Sequence, residues 1–316
     1  MNLPTLPSTS PHDHATPPKT TFVPSTQDTL RHQVLAALAQ HRMATTPQLR
    51  QMLHLQSSTQ RLSEILTSLR TDHLIGYITL PTSGRTRAWY LETDGVRITR
   101  DWPELRGRPP YPVTTSTAAS LRTAHTLTVV RTHLAFSHDA HQRGDEHGYL
   151  DWTPEVAHPL PDGERLIADA LLHYTVTQDD VRSKLRAFIE VDRATMSAER
   201  LASKLIEYAR FHSYQPVQPG RRSTHTAQVV TGPAWQRWYP RFPRVLFILT
   251  GAGPRALANR IADLKAMAAE HPMVAATARQ VPLGAAVLEE MEEAGPQAPV
   301  WTRLGAPSDR CGWTEL

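Results

Sequence analysis

Apolar residues recur every three to four positions in the first part of the chain, which is the spacing of amphipathic helices. One such stripe predicts a first helix that ends near His41, and Pro47 after Thr46 predicts the start of a short second helix, with Thr46 as its cap. A third helix is predicted to begin at Ser57 or Ser58. Its buried stripe consists of Leu62, Ile65, Leu66 and Leu69.

Two segments with strand character follow these helices, over residues 74–80 and 86–91, and the turn between them contains Gly84. Three short helices followed by a β-hairpin is the order of a winged helix-turn-helix, in which the third helix enters the major groove of DNA. We therefore predict a domain over residues 27–100 that binds double-stranded DNA. Its candidate DNA-binding residues are Thr59, Gln60, Arg61, Arg70, Arg85 and Arg87. A winged helix that binds another protein is the alternative interpretation.

A segment rich in proline and arginine, residues 101–117, is interpreted as a linker. Beyond it the pattern predicts a helix, three strands, a helix and a further strand, over residues 118–141, 149–157, 165–174, 184–192, 197–212 and 244–250. This α-β-β-β-α-β order is that of a restriction-endonuclease-like core. We assign residues 118–316 to such a domain with a C-terminal extension, in which a helix over 255–269 and a last strand over 274–281 follow the core. The whole chain is thus predicted to be an α/β protein.

Three carboxylates interrupt the apolar strands of this second domain. Asp169 lies within the second strand, and Glu190 and Asp192 lie on one face of the third because side chains alternate along a strand. Ionised carboxylates in an apolar strand are costly unless a partner compensates them, and a divalent cation is a common partner. The pattern predicts a site for Mg²⁺ or Mn²⁺ and metal-assisted cleavage of a phosphodiester. Alternatively, Asp169 faces solvent on an edge strand, and Asp192 caps the next helix or pairs with Arg193.

Four further features near these strands have side chains or a turn that bear on chemistry. Glu155 is a possible additional ligand, although Pro154 favours an edge position for it. Tyr208 is interpreted as a core residue rather than a nucleophile, and His125 as a buried histidine on an apolar helix. The turn that starts at Gly251 lacks the lysine of a phosphate-binding loop, so we reject a nucleotide site there.

Composition narrows the setting of the protein. The chain has 316 residues and a formal net charge of +4, with several arginine pairs, which is compatible with a nucleic-acid partner. Its single cysteine, Cys311, excludes an intrachain disulfide and favours a reducing, cytoplasmic location. No apolar run approaches the ~20 residues of a membrane span, so no membrane insertion is expected. Residues 1–26, rich in proline, threonine and serine, are expected to be a disordered leader rather than a secretory signal.

An ordered set of short motifs over residues 27–250 resembles the replication-relaxation family of actinobacterial plasmids and integrative elements. The motifs are His125-Thr126-Leu127, Asp151-Trp152-Thr153-Pro154-Glu155, Ala168-Asp169-Ala170, Phe188-Ile189-Glu190-Val191-Asp192-Arg193, Lys204-Leu205-Ile206-Glu207-Tyr208 and Phe242-Pro243-Arg244-Val245-Leu246-Phe247. The family is distantly similar to PD-(D/E)xK nucleases, including relaxases built on that fold. The resemblance implies a role in processing plasmid or mobile-element DNA, by binding or nicking at an origin, together with replication or conjugation proteins.

The chain departs from the nuclease motif at two positions. Ala168 replaces a proline, and Asp192 occupies the position of the lysine on the third strand. That lysine would orient the attacking water and offset charge on the phosphate. Lys204 on the following helix is the candidate replacement, beside the catalytic candidates Asp169, Glu190 and Asp192; a solvated lysine is the alternative. The departure leaves open a DNA-binding regulator or replication accessory factor with a degenerate nuclease-like domain.

Overall fold

A computed structural model describes residues 26–54, 59–80, 85–105, 116–160, 163–179, 181–216, 232–305 and 310–316. The predicted leader, the start of the third helix, the hairpin turn and most of the linker lie outside the described residues. The helices are α1 (Thr26–His41), α2 (Thr46–Met52), α3 (Thr59–Thr71), α4 (Thr93–Thr99), α5 (Ser116–Arg143), α6 (Ala198–Ser213), α7 (Pro254–Glu270), α8 (Pro272–Ala278) and α9 (Leu288–Ala294). The strands are β1 (Met43–Thr45), β2 (Ile75–Thr79), β3 (Arg87–Leu91), β4 (Trp152–Pro159), β5 (Arg165–Gln178), β6 (Val181–Asp192), β7 (Arg244–Leu249), β8 (Leu283–Val287) and β9 (Thr302–Arg303).

The first unit, residues 26–105, packs α1 to α4 against an antiparallel sheet with the order β1-β3-β2. The four apolar residues predicted for the third helix are all buried on α3. The prediction of Thr46 as the cap of α2 is wrong by one residue. Thr45 is the cap, because its Oγ1 accepts from the Gln48 backbone N at 3.3 Å while Gln48 Oε1 accepts from the Thr45 N at 3.0 Å. Thr46 Oγ1 instead accepts a hydrogen bond from Trp89 Nε1 at 2.9 Å.

The second unit, from Ser116 onward, is built on a six-stranded sheet with the order β4-β5-β6-β7-β8-β9. Strands β4, β5 and β6 are antiparallel, β6, β7 and β8 are parallel, and β9 is antiparallel to β8. Helices α6, α7 and α8 cover one face, where Phe188 and Phe247 are buried. Helices α5 and α9 cover the other face, where Phe136 and Trp152 are buried. The result is a three-layer arrangement that holds β5 and β6 in the interior of the sheet.

The strand predicted over residues 274–281 is wrong. Residues Pro272–Ala278 form α8, and the strand follows as β8 over Leu283–Val287. Pro272 stands in the first turn, where its missing N–H is not needed, and three alanines raise the helix propensity of the segment.

The end of α1 is bonded to the start of β4, at what we call the junction of the two units. Gln40 Nε2 donates to the Trp152 carbonyl, and Arg42 forms an ion pair with Glu155. His41 Nε2 lies 2.8 Å from the Tyr149 carbonyl oxygen. Helix α5 contributes to both sides, since Val130 packs in the core of the first unit and Phe136 in that of the sheet.

Three buried histidines line this junction. His133 Nδ1 lies 3.0 Å from His147 Nε2, and the His41 and His133 rings are 4.7 Å apart. Burial lowers the pKa of His41 and of His147 to about 4 and lowers the pKa of His133 well below its ordinary value. The junction is therefore built around imidazoles that are neutral at neutral pH.

Candidate functional site

Glu190 of β6 is a buried carboxylate of the predicted site. Its residue exposure is 2%, and its Oε1 accepts a hydrogen bond from the Tyr208 hydroxyl at 2.7 Å. Burial, with the nearby Asp169 as the second cause, raises the pKa of Glu190 to about 8. Two carboxylates held near each other in a buried place favour a proton or a cation.

Asp169 of β5 lies beside the end of β6. Its Oδ2 accepts from the Val191 backbone N at 2.7 Å, which ties the side chain to the strand that carries Glu190. Its Oδ1 lies 3.0 Å from His125 Nε2 on α5. The hydrogen bond to Asp169 raises the pKa of His125, whose side chain is 43% exposed rather than buried as the sequence suggested. Sequence reasoning named both residues but did not pair them.

Lys204 of α6 reaches the two strands from the adjacent layer. Its Nζ donates to the Ile167 carbonyl oxygen at 2.8 Å and lies 3.5 Å from Glu190 Oε1. It also lies 3.8 Å from Glu207 Oε2 on its own helix. An ammonium from α6 thus contacts both β5, at the Ile167 carbonyl, and β6, at Glu190.

Asp192 is bonded to Arg260, a residue that no sequence pattern indicated. Arg260 of α7 places Nε 2.8 Å and Nη2 2.6 Å from Asp192 Oδ2. The ion-pair partner of Asp192 is therefore Arg260 rather than Arg193. Asp192 does not cap α6 either, because Ser197 is the cap and its side chain accepts from the Arg200 N. Asp192 Oδ1 is buried and has no hydrogen-bond partner among the described residues.

Glu155 and Tyr208 also have protein partners. Glu155 pairs with Arg42 of the first unit, and Tyr208 is 1% exposed, with burial raising its pKa well above the ordinary value. Gly251 has a φ of +81°, and a Cβ there would meet the Arg193 carbonyl oxygen at 2.8 Å, which accounts for a glycine in that turn.

Of the three carboxylates predicted to bind a metal ion, Asp169 and Glu190 lie near each other. In the described part of the chain, no group of three or more histidine, cysteine, aspartate or glutamate side chains is arranged to hold a metal ion. The two carboxylates are oxygen ligands of the type that Mg²⁺ and Mn²⁺ prefer. Burial first and the charge of Asp169 second raise the Glu190 pKa, and a cation bound by the two carboxylates would compensate for both, so these residues fit such an ion. Asp192, held by Arg260, does not belong to the same set.

The candidate DNA-binding residues lie along α3 and the β2–β3 hairpin. Thr59, Gln60 and Arg70 are exposed on α3, and Arg61 is half-buried there. Gln60 Nε2 donates to Glu64 Oε1 at 3.0 Å, and Thr59 Oγ1 accepts from Arg50 at 3.1 Å.

On the hairpin, Arg85 and Arg87 are both exposed, and Arg85 has a φ of +71°. Arg70 and Arg87 share a contact on the ring of Tyr77. The structure thus places the exposed members of the predicted set on one helix and the hairpin next to it.

A large cleft that the sequence did not indicate is lined by residues of α2, α5 and α9. Its volume is about 1140 Å³, and it is lined among others by Arg50, Ser137, Asp139 and Glu292. A much smaller cavity of about 20 Å³ lies beside His125, Glu155 and Asp169. No linear motif marks either space, because each is formed by residues far apart in the chain. Within the described residues, no helix is both long and apolar enough to cross a membrane.

The fold is a mixed α/β architecture with two sheets, and the candidate site joins two neighbouring strands to a lysine from the covering helix. The profile of the replication-relaxation family matches residues 35–225, which is more than half of the chain. The chain belongs to that family, and membership indicates a replication-related function. The matched region contains Asp169, Glu190 and Lys204. No curated protein and no solved structure matches the chain.

Proposed function

We propose that this protein processes plasmid or mobile-element DNA: the first unit binds duplex DNA at an origin, and the second unit nicks one strand. The observation that carries the proposal is that Asp169, Glu190 and Lys204 lie close together on the paired strands β5 and β6 and the helix that covers them. The expected partners are double-stranded DNA and other replication or conjugation proteins.

A winged helix-turn-helix in the first unit is supported by the order of its elements. Helices α1, α2 and α3 are followed by the β2–β3 hairpin, and β1 completes a small antiparallel sheet. In such a unit α3 would lie in the major groove and the hairpin beside the backbone. Four exposed hydroxyls line α3, and these short polar side chains can reach phosphates and base edges. They belong to Thr59, Ser63, Thr67 and Thr71.

The nuclease-like arrangement of the second unit is supported by the strands that carry the acids. Asp169 lies on the second strand of the sheet and Glu190 on the third, as in a restriction-endonuclease-like core. A divalent cation bound by these two carboxylates would supply a hydroxide from bound water and neutralise the phosphate. Lys204 places a second positive charge within 3.5 Å of Glu190 Oε1, where it would stabilise charge that develops on the phosphate. Tyr208 fixes the Glu190 side chain through its hydroxyl.

A second candidate function is a DNA-binding accessory factor without catalysis. It is favoured by one specific observation: each carboxylate already has a protein partner. His125 contacts Asp169, Tyr208 contacts Glu190, and Arg260 contacts Asp192. Both candidates share the DNA-binding first unit and differ in whether the second unit cleaves.

A nicking assay on supercoiled DNA that carries the origin of the protein's own element separates the two. We expect conversion to the open-circular form with Mg²⁺ or Mn²⁺ and none with EDTA. Glu190→Gln and Lys204→Met should each abolish most of the activity, whereas Lys265→Met on α7 serves as a matched control and should retain it. Normal nicking by Glu190→Gln would exclude this site. Metal-independent binding without any nicking by the folded wild type would establish the accessory factor instead.

A further inference from the structure

The ring of Tyr77 on β2 carries two arginine side chains. The guanidinium carbon of Arg70, from the end of α3, lies 4.9 Å from the ring centroid. That of Arg87, from the start of β3, lies 4.5 Å from the same centroid. Two positive charges from different elements therefore contact one aromatic side chain.

This aromatic support is itself fixed from below. Tyr77 packs edge-on against Trp89, with ring centroids 5.0 Å apart, and Trp89 is buried. Trp89 Nε1 donates to Thr46 Oγ1 of α2 at 2.9 Å. The core of the first unit thus determines the position of the Tyr77 ring. The ring in turn restricts where the two guanidinium groups lie.

Neither guanidinium forms an ion pair with a carboxylate among the described residues. The acidic side chains on and next to α3 have other partners: Glu64 accepts from Gln60, and Asp72 pairs with Arg31 at 2.8 Å. Two like charges that are held together without a counter-charge repel each other, and an anion between them removes that repulsion. A guanidinium group that contacts an aromatic ring still has N–H groups able to donate hydrogen bonds.

We propose that Arg70 and Arg87 form a phosphate clamp on the backbone of duplex DNA, with Tyr77 as the positioning residue that holds both. The inference rests on the proposed DNA binding of the first unit and adds which residues make the phosphate contact. Duplex DNA is the partner that fits, because the pair adjoins the exposed hydroxyls of α3. Pre-positioned side chains lose less conformational freedom on binding, so the clamp binds phosphate more tightly than two mobile arginines would.

The clamp predicts different effects for charge and for position. Arg70→Gln and Arg87→Gln each remove a phosphate contact, so each should lower the slope of log affinity against log salt by about 0.9. Tyr77→Leu keeps both charges, so it should leave this slope unchanged while affinity falls about tenfold. Tyr77→Phe retains the ring and should bind like the wild type. The double change Arg70→Lys with Arg87→Lys keeps the charge but loses planar stacking, and should behave like Tyr77→Leu.

The measurement is duplex binding by the full chain at several salt concentrations, with circular dichroism to verify folding. Arg97→Gln is the matched control, since Arg97 is exposed on α4 and paired with Asp94. A wild-type chain without salt-dependent duplex binding would overturn the proposed function. If the wild type binds and both arginine-to-glutamine variants keep its salt slope, the clamp is wrong. If the arginine variants behave as expected but the lysine double variant binds as tightly as the wild type, the positioning role is wrong, even should Tyr77→Leu fail to fold.

Discussion

Arg260 and Asp192 form a partly buried ion pair across two elements, with Arg260 Nη2 2.6 Å from Asp192 Oδ2. Asp192 is 2% exposed and Arg260 comes from α7, 68 positions along the chain. The pair joins the end of β6 to the helix that covers it. It compensates the carboxylate that the sequence pattern had assigned to a metal ion.

Arg260→Leu should destabilise the protein strongly, because it leaves the buried carboxylate of Asp192 without its cation. Breaking a buried pair from one side costs about 3–5 kcal/mol. Urea unfolding monitored by circular dichroism would measure the loss. The double variant Arg260→Leu with Asp192→Asn removes both charges and should recover a large part of the stability. A single variant as stable as the wild type would contradict the compensation that we infer.

Metal binding and catalysis should separate at Lys204. If Asp169 and Glu190 are the ligands, titration calorimetry should show Mn²⁺ binding by the wild type and weak or no binding by Asp169→Asn. Lys204→Met should keep or increase the affinity for Mn²⁺, because it removes a positive charge 3.5 Å from Glu190, yet it should lose nicking. Binding by Asp169→Asn at wild-type affinity would discredit the ligand assignment.

The buried histidines should make the fold sensitive to acid. The pKa of His41 and of His147 is lowered from 6.5 to about 4, so the unfolded chain binds protons that the folded chain does not. The stability that each neutral histidine contributes is fully present above pH 6.5 and is lost as the pH falls through 4. The loss in free energy of unfolding is on the order of 3 kcal/mol for each histidine.

Urea unfolding at pH 7 and pH 5 should therefore show a smaller loss for His41→Gln than for the wild type. His73→Asn is the control, because His73 is exposed and distant from the junction in sequence. Equal losses in the wild type and in His41→Gln would exclude His41 as a source of the acid sensitivity.

Glu190 should act in the opposite direction in metal-free protein. Its pKa is raised from 4.5 to about 8, so the folded state keeps a proton that the unfolded chain releases. The stabilising contribution is present below pH 4.5 and is lost as the pH rises through 8. In EDTA, we expect the free energy of unfolding of the wild type to decrease relative to that of Glu190→Gln as the pH rises from 5 to 8.5. A constant difference over that range would show that Glu190 titrates normally.

The sequence predicted most of the regular elements, because their apolar spacing is local information. The four buried residues of α3 and the strands that carry Asp169 and Glu190 follow from such patterns. What it missed depends on contacts between distant segments. The three-residue strand β1 is too short to show a pattern, and Arg260 lies on an amphipathic helix like many exposed arginines.

The Thr45 cap shows the same limit at a smaller scale. Pro47 marked the start of α2 correctly, but the cap is Thr45 rather than the predicted Thr46. The hydrogen bond from Trp89 to Thr46, which distinguishes them, comes from a strand more than 40 residues later. The reach of Lys204 across to Ile167 and Glu190 is likewise a matter of packing angle rather than of spacing.

The bonds that tie the end of α1 to the start of β4 have a geometric consequence for DNA. His41 and Arg42 lie directly before β1 and α2. Their partner Tyr149 lies just before β4 and their partner Glu155 lies within it. Strand β4 pairs with β5, which carries Asp169. A duplex bound to the first unit would therefore approach Asp169 and Glu190 at one fixed distance along the DNA and at one fixed rotation about the DNA axis. The junction would fix the distance between the two units, so that any cut falls a constant number of base pairs from the bound sequence.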